Sequence, residues 1–197
     1  MIRHAKHKQR KLFIEPGNVV LETSFFDRDA AIVARDLVGK MLVRERAGVC
    51  IRLVITETEA YLGSHDLASH SARGRTARTE VMFGPPGQFY VYLIYGMHWM
   101  LNIVTAAVDQ PCAVLIRGAG PLSGPGKLSR ELDITRELNG ALAQPSSGLW
   151  FEHADSAKSI DIETGPRVGV DYAGPMWSQR KLRFMLKADK RVSQGEP

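Results

Sequence analysis

Two glutamates and a tyrosine stand at alternate positions after an apolar run, in the segment Ile51-Arg-Leu-Val-Ile-Thr-Glu-Thr-Glu-Ala-Tyr61. Side chains alternate between the faces of a strand, so the apolar face ending at Ile55 is predicted to continue into Glu57, Glu59 and Tyr61. A carboxylate placed there is partly desolvated, which raises its pKa and suits it to act as a general base. The alternative is that the strand leaves the core after Ile55 and its carboxylates are solvated.

An aromatic segment from Gln88 to Asn102 is typical of a β-hairpin with its turn near residue 96. Tyr90 and Tyr92 share one predicted face, and Asn102 on the return strand is expected opposite Tyr92, give or take one residue. Tyrosine rings beside an amide can stack on a nucleobase and hydrogen-bond its edge. Tyr95 at the hairpin tip is suited to insert between base steps. The alternative is an ordinary aromatic core.

A long loop at residues 62–80 carries one histidine and three arginines, namely His70, Arg73, Arg75 and Arg78. The arginines are candidates for contacts with phosphates, although a solvated loop explains them equally well. Arg117 ends the apolar run at 113–117, either as a charge at the wet end of a strand or as a residue that points into a site. A second basic cluster spans residues 180–191.

Several classes of site are excluded by motifs that the sequence lacks. It has no G-x-x-x-x-G-K, no G-x-G-x-x-G and no G-x-S-x-G motif. It also lacks the His-x-Glu of zinc nucleobase deaminases, and its two cysteines form no C-x-x-C pair. No metal and no cofactor are therefore expected. The net charge of +5 (26 basic against 21 acidic residues) agrees with a polyanionic partner but does not establish one.

The elements that must position these residues fit one α+β domain in a chain of 197 residues that is 44% apolar. Strands outnumber helices and do not alternate with them. The first predicted helix starts in the region from Asp27, with Asp27 or Asp29 as its cap, and ends at Gly39. The second runs from about 127 to 132. The predicted strands cover residues 41–44, 50–60, 89–95, 98–105, 113–117, 168–172 and 183–187. We expect a curved, mostly antiparallel sheet with a protruding β-hairpin and surrounding helices.

The expected domain spans residues 21–190, with a basic arm at 1–20 and a tail at 191–197. Charge runs of this kind are commonly disordered, so the arm is interpreted as a solvated tail, with a DNA-contacting arm as the alternative. No apolar run reaches the length of a membrane span. We therefore expect no membrane partner, and a location in the cytoplasm (nucleoid) of a bacterium or in the nucleus of a eukaryote.

In its motifs the sequence resembles the alkyladenine (3-methyladenine) DNA glycosylases of the mammalian type. The resemblance runs from about residue 24 to residue 187. It is carried by Glu57-Thr-Glu-Ala-Tyr-Leu-Gly63, Tyr90-Val-Tyr-Leu-Ile-Tyr-Gly-Met97 with Asn102, and Val114-Leu-Ile-Arg117. It implies a monomeric, metal-free enzyme that flips a damaged purine out of double-stranded DNA and hydrolyses the N-glycosidic bond, with 3-methyladenine as the first expected substrate.

The resemblance also implies a role for each candidate residue. Glu59 would activate the attacking water and Arg117 would help to hold that water. The flipped base would lie among Tyr61, His70 and Tyr92, while Asn102 would disfavour guanine. Contacts with DNA would come from Tyr95, Met97, Arg73, Arg75, Arg78 and Lys127. Thr79, Trp99-Met100 and Gly120 depart from the family pattern and leave the substrate range open. The alternative function is a non-catalytic nucleic-acid-binding module that uses the same basic surface and aromatic hairpin.

Overall fold

The computed structural model describes residues 19–154 and 160–187. The tail expected at 191–197 lies outside these residues, and so does the expected arm, except for Val19 and Val20. Val20 forms an antiparallel bridge with Glu152, and Leu21 is buried in the core. Within the described residues, the packed chain therefore includes Val20 and Leu21.

In residues 19–154 and 160–187, four short helices accompany nine strands. The helices are α1 (Thr23–Phe26), α2 (Ala30–Leu37), α3 (Pro125–Glu131) and α4 (Pro175–Ser178). The strands are β1 (Met41–Arg46), β2 (Val49–Tyr61), β3 (Phe89–Ile94), β4 (His98–Thr105), β5 (Cys112–Ala119), β6 (Leu122–Ser123), β7 (Leu149–Glu152), β8 (Ile162–Gly165) and β9 (Arg183–Leu186). Within the described residues, no helix is long and apolar enough to cross a membrane.

All strand pairings of the described residues are antiparallel, which confirms the expected α+β fold. The main path through the sheet is β3-β4-β5-β2-β1-β7; β6 pairs with β5, and β9 lies between β2 and β8. Strand β2 is the organising strand because its first half pairs with β1, while its second half lies between β5 and β9. Residues 57–59 are therefore paired with strands on both sides.

Local sequence explains where helix α2 begins. The Asp29 carboxylate accepts hydrogen bonds from the backbone N–H groups of Ala31 and Ile32, as a helix N-cap does. The predicted helix is thus confirmed. The strand predicted at 168–172 is wrong, because Gly169 adopts a φ of 72° and residues Asp171–Ala173 form a 3-10 turn. The apolar alternation of Val168-Gly-Val170 imitates a strand, but its glycine takes a left-handed conformation that a strand excludes.

A double irregularity in the β2–β5 ladder decides which way the glutamates face. The register shifts between Ile55 and Glu57 and again between Glu57 and Thr58. Ile55 and Ala60, an odd number of residues apart, consequently both face the main core, and Thr58 bonds the carbonyl of Ala34 in α2 from the same side. The predicted continuation of the apolar face beyond Ile55 is therefore wrong: the bulge turns the carboxylates to the opposite face.

The sheet has a different cluster on each face. Phe89, Val91 and Val114 belong to the main core, which also contains α2. Tyr90, with Met82 and Ala113, belongs to a smaller cluster on the other face, beside the loop of residues 62–84. This second face carries the candidate functional residues, because residues paired across antiparallel strands point the same way.

Candidate active site

Glu59 lies on the second face of the sheet and is 0% exposed. Its Oε1 accepts a hydrogen bond from the backbone N–H of Val168 at 2.8 Å and lies 3.4 Å from Nε of Arg117. Its Oε2 accepts from the Tyr61 hydroxyl at 3.1 Å. Burial raises the pKa of Glu59, and Arg117 and the two hydrogen bonds act against that rise. The alternative in which these carboxylates are solvated is excluded for Glu59.

Arg117 also points into this region rather than into solvent. Its Nε donates to Oε1 of Glu57 at 2.8 Å, and the same oxygen accepts from Nε of Arg183 in β9 at 2.6 Å. Arg117 is unpaired in the β2–β5 register, between Ile116 and Gly118. A bulged position re-aims its side chain, which accounts for an arginine at the end of an apolar strand reaching a buried carboxylate.

A cavity with about 330 Å³ of empty space opens beside Tyr61. Part of this space is open to solvent, and the cavity itself is small. Its walls combine aromatic rings with small side chains: Tyr61, Ala68, Ser69, His70, Met82, Tyr90, Tyr92, Asn102, Ala113 and Tyr172. Tyr61 thus has two contacts, one with the cavity and one with the buried Glu59.

Three rings of the cavity wall are packed against one another. The His70 ring lies edge-on to Tyr92 with centroids 4.5 Å apart, and Tyr90 and Tyr92 are 5.2 Å apart. His70 Nδ1 is 3.0 Å from the Tyr90 hydroxyl. Burial, together with Arg78 and Arg73, lowers the pKa of His70 to about 4. His70 is therefore neutral at physiological pH, so the cavity wall presents neutral rings.

Asn102 lines the cavity, but its predicted strand partner is wrong. It pairs with Tyr90, and Tyr92 pairs with Met100. The cause is the turn, which has three residues, 95–97, between the paired Ile94 and His98. Tyr95 and Gly96 both have positive φ. The Asn102 amide nitrogen donates to the carbonyls of Tyr90 and Met100 at 3.0 and 3.3 Å, which fixes the orientation of its side chain.

The hairpin tip carries two exposed apolar side chains, Tyr95 at 85% and Met97 at 69% exposure. The position predicted for Tyr95 is thus confirmed, and its φ of 52° places it in the left-handed region. Lys127 is exposed on α3. The neighbouring Gly126 lies so close to the His98 ring that an added Cβ would stand 3.0 Å from it, so α3 packs against the turn end of the hairpin.

The three loop arginines have different environments, although all are exposed. Arg75 donates to Glu80 and Asp109, both at 3.0 Å. The Arg78 guanidinium lies 5.3 Å from the centre of the Tyr92 ring, next to the cavity. Arg73 ends the 3-10 turn that begins at His70. Arg78 and Arg73 are therefore close to the cavity wall, whereas Arg75 is bound to carboxylates of its own loop region.

Sequence reasoning assigned no role to several residues that the structure places at the site. These are Tyr90 and Tyr172 of the cavity wall, Glu57 and Arg183 beside Arg117, and the backbone N–H of Val168. Alternation along β3 already placed Tyr90 beside Tyr92 and was sufficient to find it. Nothing local marks Val168, because its partner Glu59 is 109 residues away. Within the described ranges, no group of three His, Cys, Asp or Glu residues is arranged to hold a metal ion.

Comparisons with known proteins agree on one family. A family model described as methylpurine-DNA glycosylase matches residues 24–124 and 121–190. A relative from Myxococcus xanthus is 44% identical, covering 90% of this chain and 95% of its own. One from Methanocella arvoryzae is also 44% identical (90% and 98%), and one from Anaeromyxobacter dehalogenans is 45% identical (90% and 88%). Each is named "Putative 3-methyladenine DNA glycosylase". The matched residues include every side chain of the site described above.

Proposed function

Because the chain belongs to the methylpurine-DNA glycosylase family, we propose that Glu59 and the neighbouring cavity excise a flipped methylated purine from double-stranded DNA. The enzyme is a DNA glycosylase, a hydrolase of N-glycosyl bonds, and DNA is its substrate. The observation that carries the site assignment is the fully buried Glu59 carboxylate beside an aromatic cavity, with Tyr61 contacting both.

Glu59 acts as the general base in this proposal. An ionised carboxylate has about four acceptor positions, and the N–H of Val168 and the hydroxyl of Tyr61 occupy two of them. Arg117 lies 3.4 Å away as an ion-pair partner, since its Nε donates to Glu57. Glu59 therefore retains the capacity to accept a proton from a water molecule. Burial raises the pKa of Glu59 towards the range in which proton transfer is efficient, while Arg117 keeps the ionised form accessible.

The cavity selects its base by shape and stacking. A purine placed between the ring of Tyr61 and those of His70 and Tyr92 gains stacking energy on both faces. The Asn102 side chain is held in one orientation by its two backbone hydrogen bonds, so it cannot turn to accommodate an extra amino group. This disfavours guanine. A methylated purine with a positive charge is already a good leaving group, which reduces the need for a general acid.

The exposed hairpin tip supports base flipping. We propose that Tyr95 enters the gap left by the extruded base, since a solvent-exposed aromatic ring on a rigid turn gains contacts only against a partner. Arg73, Arg78 and Lys127 would neutralise phosphates on either side. The wedge requires a stacked duplex, so the proposed substrate form is double-stranded DNA bound by a monomer.

Base release from defined duplexes tests this function. Duplexes that carry 3-methyladenine, hypoxanthine or ethenoadenine are incubated with the protein, and the freed bases are separated by chromatography. We expect release of 3-methyladenine, and loss of release by a factor of about 10² to 10⁴ in Glu59→Gln, the range typical of a lost general base. Glu163→Gln, on the exposed side of β8, is the matched control and should retain activity.

The test also separates the proposal from a binding module. Glu59→Gln should still bind lesion DNA, because the substitution removes a proton acceptor and leaves the cavity walls intact. Binding of lesion DNA by the wild type with no release of any base would contradict the enzyme assignment of this site and favour a non-catalytic module. Equal release by wild type and Glu59→Gln would contradict the role of Glu59.

A further inference from the structure

A buried ion pair lies near Glu59, the proposed general base, and does not line the cavity. The side chains of Arg167 and Asp66 are both 0% exposed. The guanidinium meets the carboxylate through two bonds, Nη1 to Oδ2 at 2.5 Å and Nη2 to Oδ1 at 2.8 Å. Nothing in the reaction proposed above uses either residue, so the pair needs an account of its own.

Stability alone is a weak account of this pair. Removing two charges from water costs several kcal/mol per ion, and the mutual attraction often does no more than offset that cost. Nε of Arg167 is also buried without a hydrogen-bond partner among the described residues, which adds to the cost. Such pairs are best attested as devices that fix one arrangement of the chain over others.

The arrangement that this pair fixes joins three segments of the site. Arg167 Nη1 also donates to the carbonyl of Ala60, the residue between Glu59 and Tyr61 in β2. Asp66 accepts from the backbone N–H groups of Leu62 and Ala68 at 3.0 and 3.1 Å. The end of β2, the loop after it and the segment at 167–168 are therefore held together through one guanidinium and one carboxylate.

The ion pair of Arg167 and Asp66 lies next to two groups that contact Glu59, namely Tyr61 and the backbone N–H of Val168. The Arg167 guanidinium lies 4.8 Å from the centre of the Tyr61 ring, on the aromatic wall of the cavity. The next residue, Val168, gives its backbone N–H to Oε1 of Glu59 at 2.8 Å. A shift of residue 167 by one ångström would lengthen this hydrogen bond beyond its useful range.

We propose that Arg167 is a positioning residue: its bidentate bond to Asp66 holds the N–H of Val168 on Glu59 and supports the ring of Tyr61. This inference rests on the proposed role of Glu59 in base excision, but the positioning itself is a property of the free protein. Arg167 does not line the cavity and reaches it only through the ring of Tyr61. A guanidinium is required, since a lysine offers one point charge in place of the planar fork.

The direct test is the titration of Glu59 in the free protein. Its carboxyl carbon is followed by NMR against pH and assigned with Glu59→Gln. The N–H of Val168 lowers the pKa of Glu59, so its loss should raise that pKa by about one unit, as expected for a hydrogen bond to a charged group. Val168→Pro removes the N–H and retains the ion pair. Val168→Ala retains the N–H, and the comparison between the two isolates this donor.

In the two Val168 variants, the other groups that face Glu59 are unchanged. They are Glu57 and Tyr61 of β2, Arg117 of β5, Arg183 of β9, Tyr92 of β3 and Tyr172 of the turn at 171–173. Arg167→Lys should shift the titration in the same direction as Val168→Pro by a smaller amount, and Arg167→Met by as much or more. Arg52→Met, which breaks the partly buried pair with Glu152 in another part of the sheet, is the matched control and should shift nothing.

Excision kinetics then separate this inference from the proposed function. We expect single-turnover excision near neutral pH to fall about tenfold in Arg167→Met, with the acidic limb of the pH profile moved to higher pH. An unshifted Glu59 titration in Val168→Pro and Arg167→Lys overturns the inference, even if the wild type excises bases. If the Glu59 titration shifts in these variants but the wild type releases no nucleobase, the positioning role stands and the proposed function is overturned. If Arg167→Met does not fold, Arg167→Lys and Val168→Pro still decide the question.

Discussion

The Tyr61 hydroxyl donates to Oε2 of Glu59 at 3.1 Å, so one side chain is both a wall of the cavity and a cap on the buried carboxylate. The two residues stand two apart on the same strand and share a face. A nucleobase that stacks on the Tyr61 ring therefore lies next to Glu59. Binding and catalysis are joined here through two neighbouring positions of β2.

Tyr61→Phe should move the acidic limb of the excision pH profile to higher pH. Glu59 must be ionised to accept a proton, so activity falls as the pH falls through its pKa. The Tyr61 hydroxyl lowers this pKa, and its removal raises it. Tyr95→Phe is the control, because it removes a tyrosine hydroxyl at the exposed hairpin tip, outside the cavity. Identical acidic limbs in wild type and Tyr61→Phe would contradict the link.

His70 should make the protein less stable in acid. Its pKa is lowered to about 4 in the folded state from the ordinary 6.5, so the unfolded chain binds a proton that the folded state excludes. The free energy of unfolding therefore falls as pH falls from 6.5 to about 4, by about 1–3 kcal/mol in total. Urea unfolding at pH 7 and pH 4.5 measures this loss.

The same loss should be smaller in His70→Gln, which has no titratable ring. His153→Gln, at an exposed histidine outside the cavity, is the matched control and should keep the wild-type dependence on pH. If His70→Gln lost as much stability between pH 7 and pH 4.5 as the wild type, the lowered pKa would not be the cause.

Tyr95→Ala should weaken binding to a lesion duplex more than binding to the same lesion in single-stranded DNA. Only the duplex has a stack whose gap the ring can fill, and stacking of an aromatic ring on a base contributes about 1–3 kcal/mol. The expected loss is about fivefold to 150-fold in affinity for the duplex. Fluorescence anisotropy measures both affinities, and Tyr95→Phe, which retains the ring, should bind like the wild type. Equal losses on both DNA forms would argue against a wedge.

Arg78→Ala should reduce DNA affinity more than Arg75→Ala does. Arg75 must break its ion pairs with Glu80 and Asp109 before it can bind a phosphate. Arg78 instead lies over the Tyr92 ring beside the cavity. A lost phosphate contact lowers the slope of log affinity against log salt by about 0.9. Titrations between 50 and 200 mM salt should show this reduced slope for Arg78→Ala. A larger change in Arg75→Ala would reverse the assignment.

Local periodicity was sufficient to predict part of this site. The two-residue spacing of Glu59 and Tyr61 placed both on one face of β2, and the same rule placed Tyr90 beside Tyr92 in β3. The exposed position of Tyr95 followed from the turn at Gly96. Each of these predictions depends on a few consecutive residues, which is the range over which sequence pattern is informative.

The rest depends on contacts between distant segments. The irregularities that turn Glu57 and Glu59 away from the core are a property of the pairing with β5, in which Thr56 of β2 and Arg117 of β5 are unpaired. The register set by the turn at residues 95–97 pairs Asn102 with Tyr90 and not with Tyr92. Val168 and Arg167 reach the site only after the chain has folded back more than a hundred residues. No local pattern carries that information.

The late position of β9 and Val168 in the chain bears on the protein's own synthesis. Glu59 emerges from the ribosome more than a hundred residues before its strand partner Arg183 and its hydrogen-bond donor Val168. Until these residues dock, this side of β2 has no strand partner and the Glu59 carboxylate lacks one of its hydrogen bonds. Since chains are built from the N-terminus, a ribosome-bound intermediate that lacks residues 167–186 has no assembled general base. We therefore expect the enzyme to acquire activity only after residues 167–186 have been made and have docked.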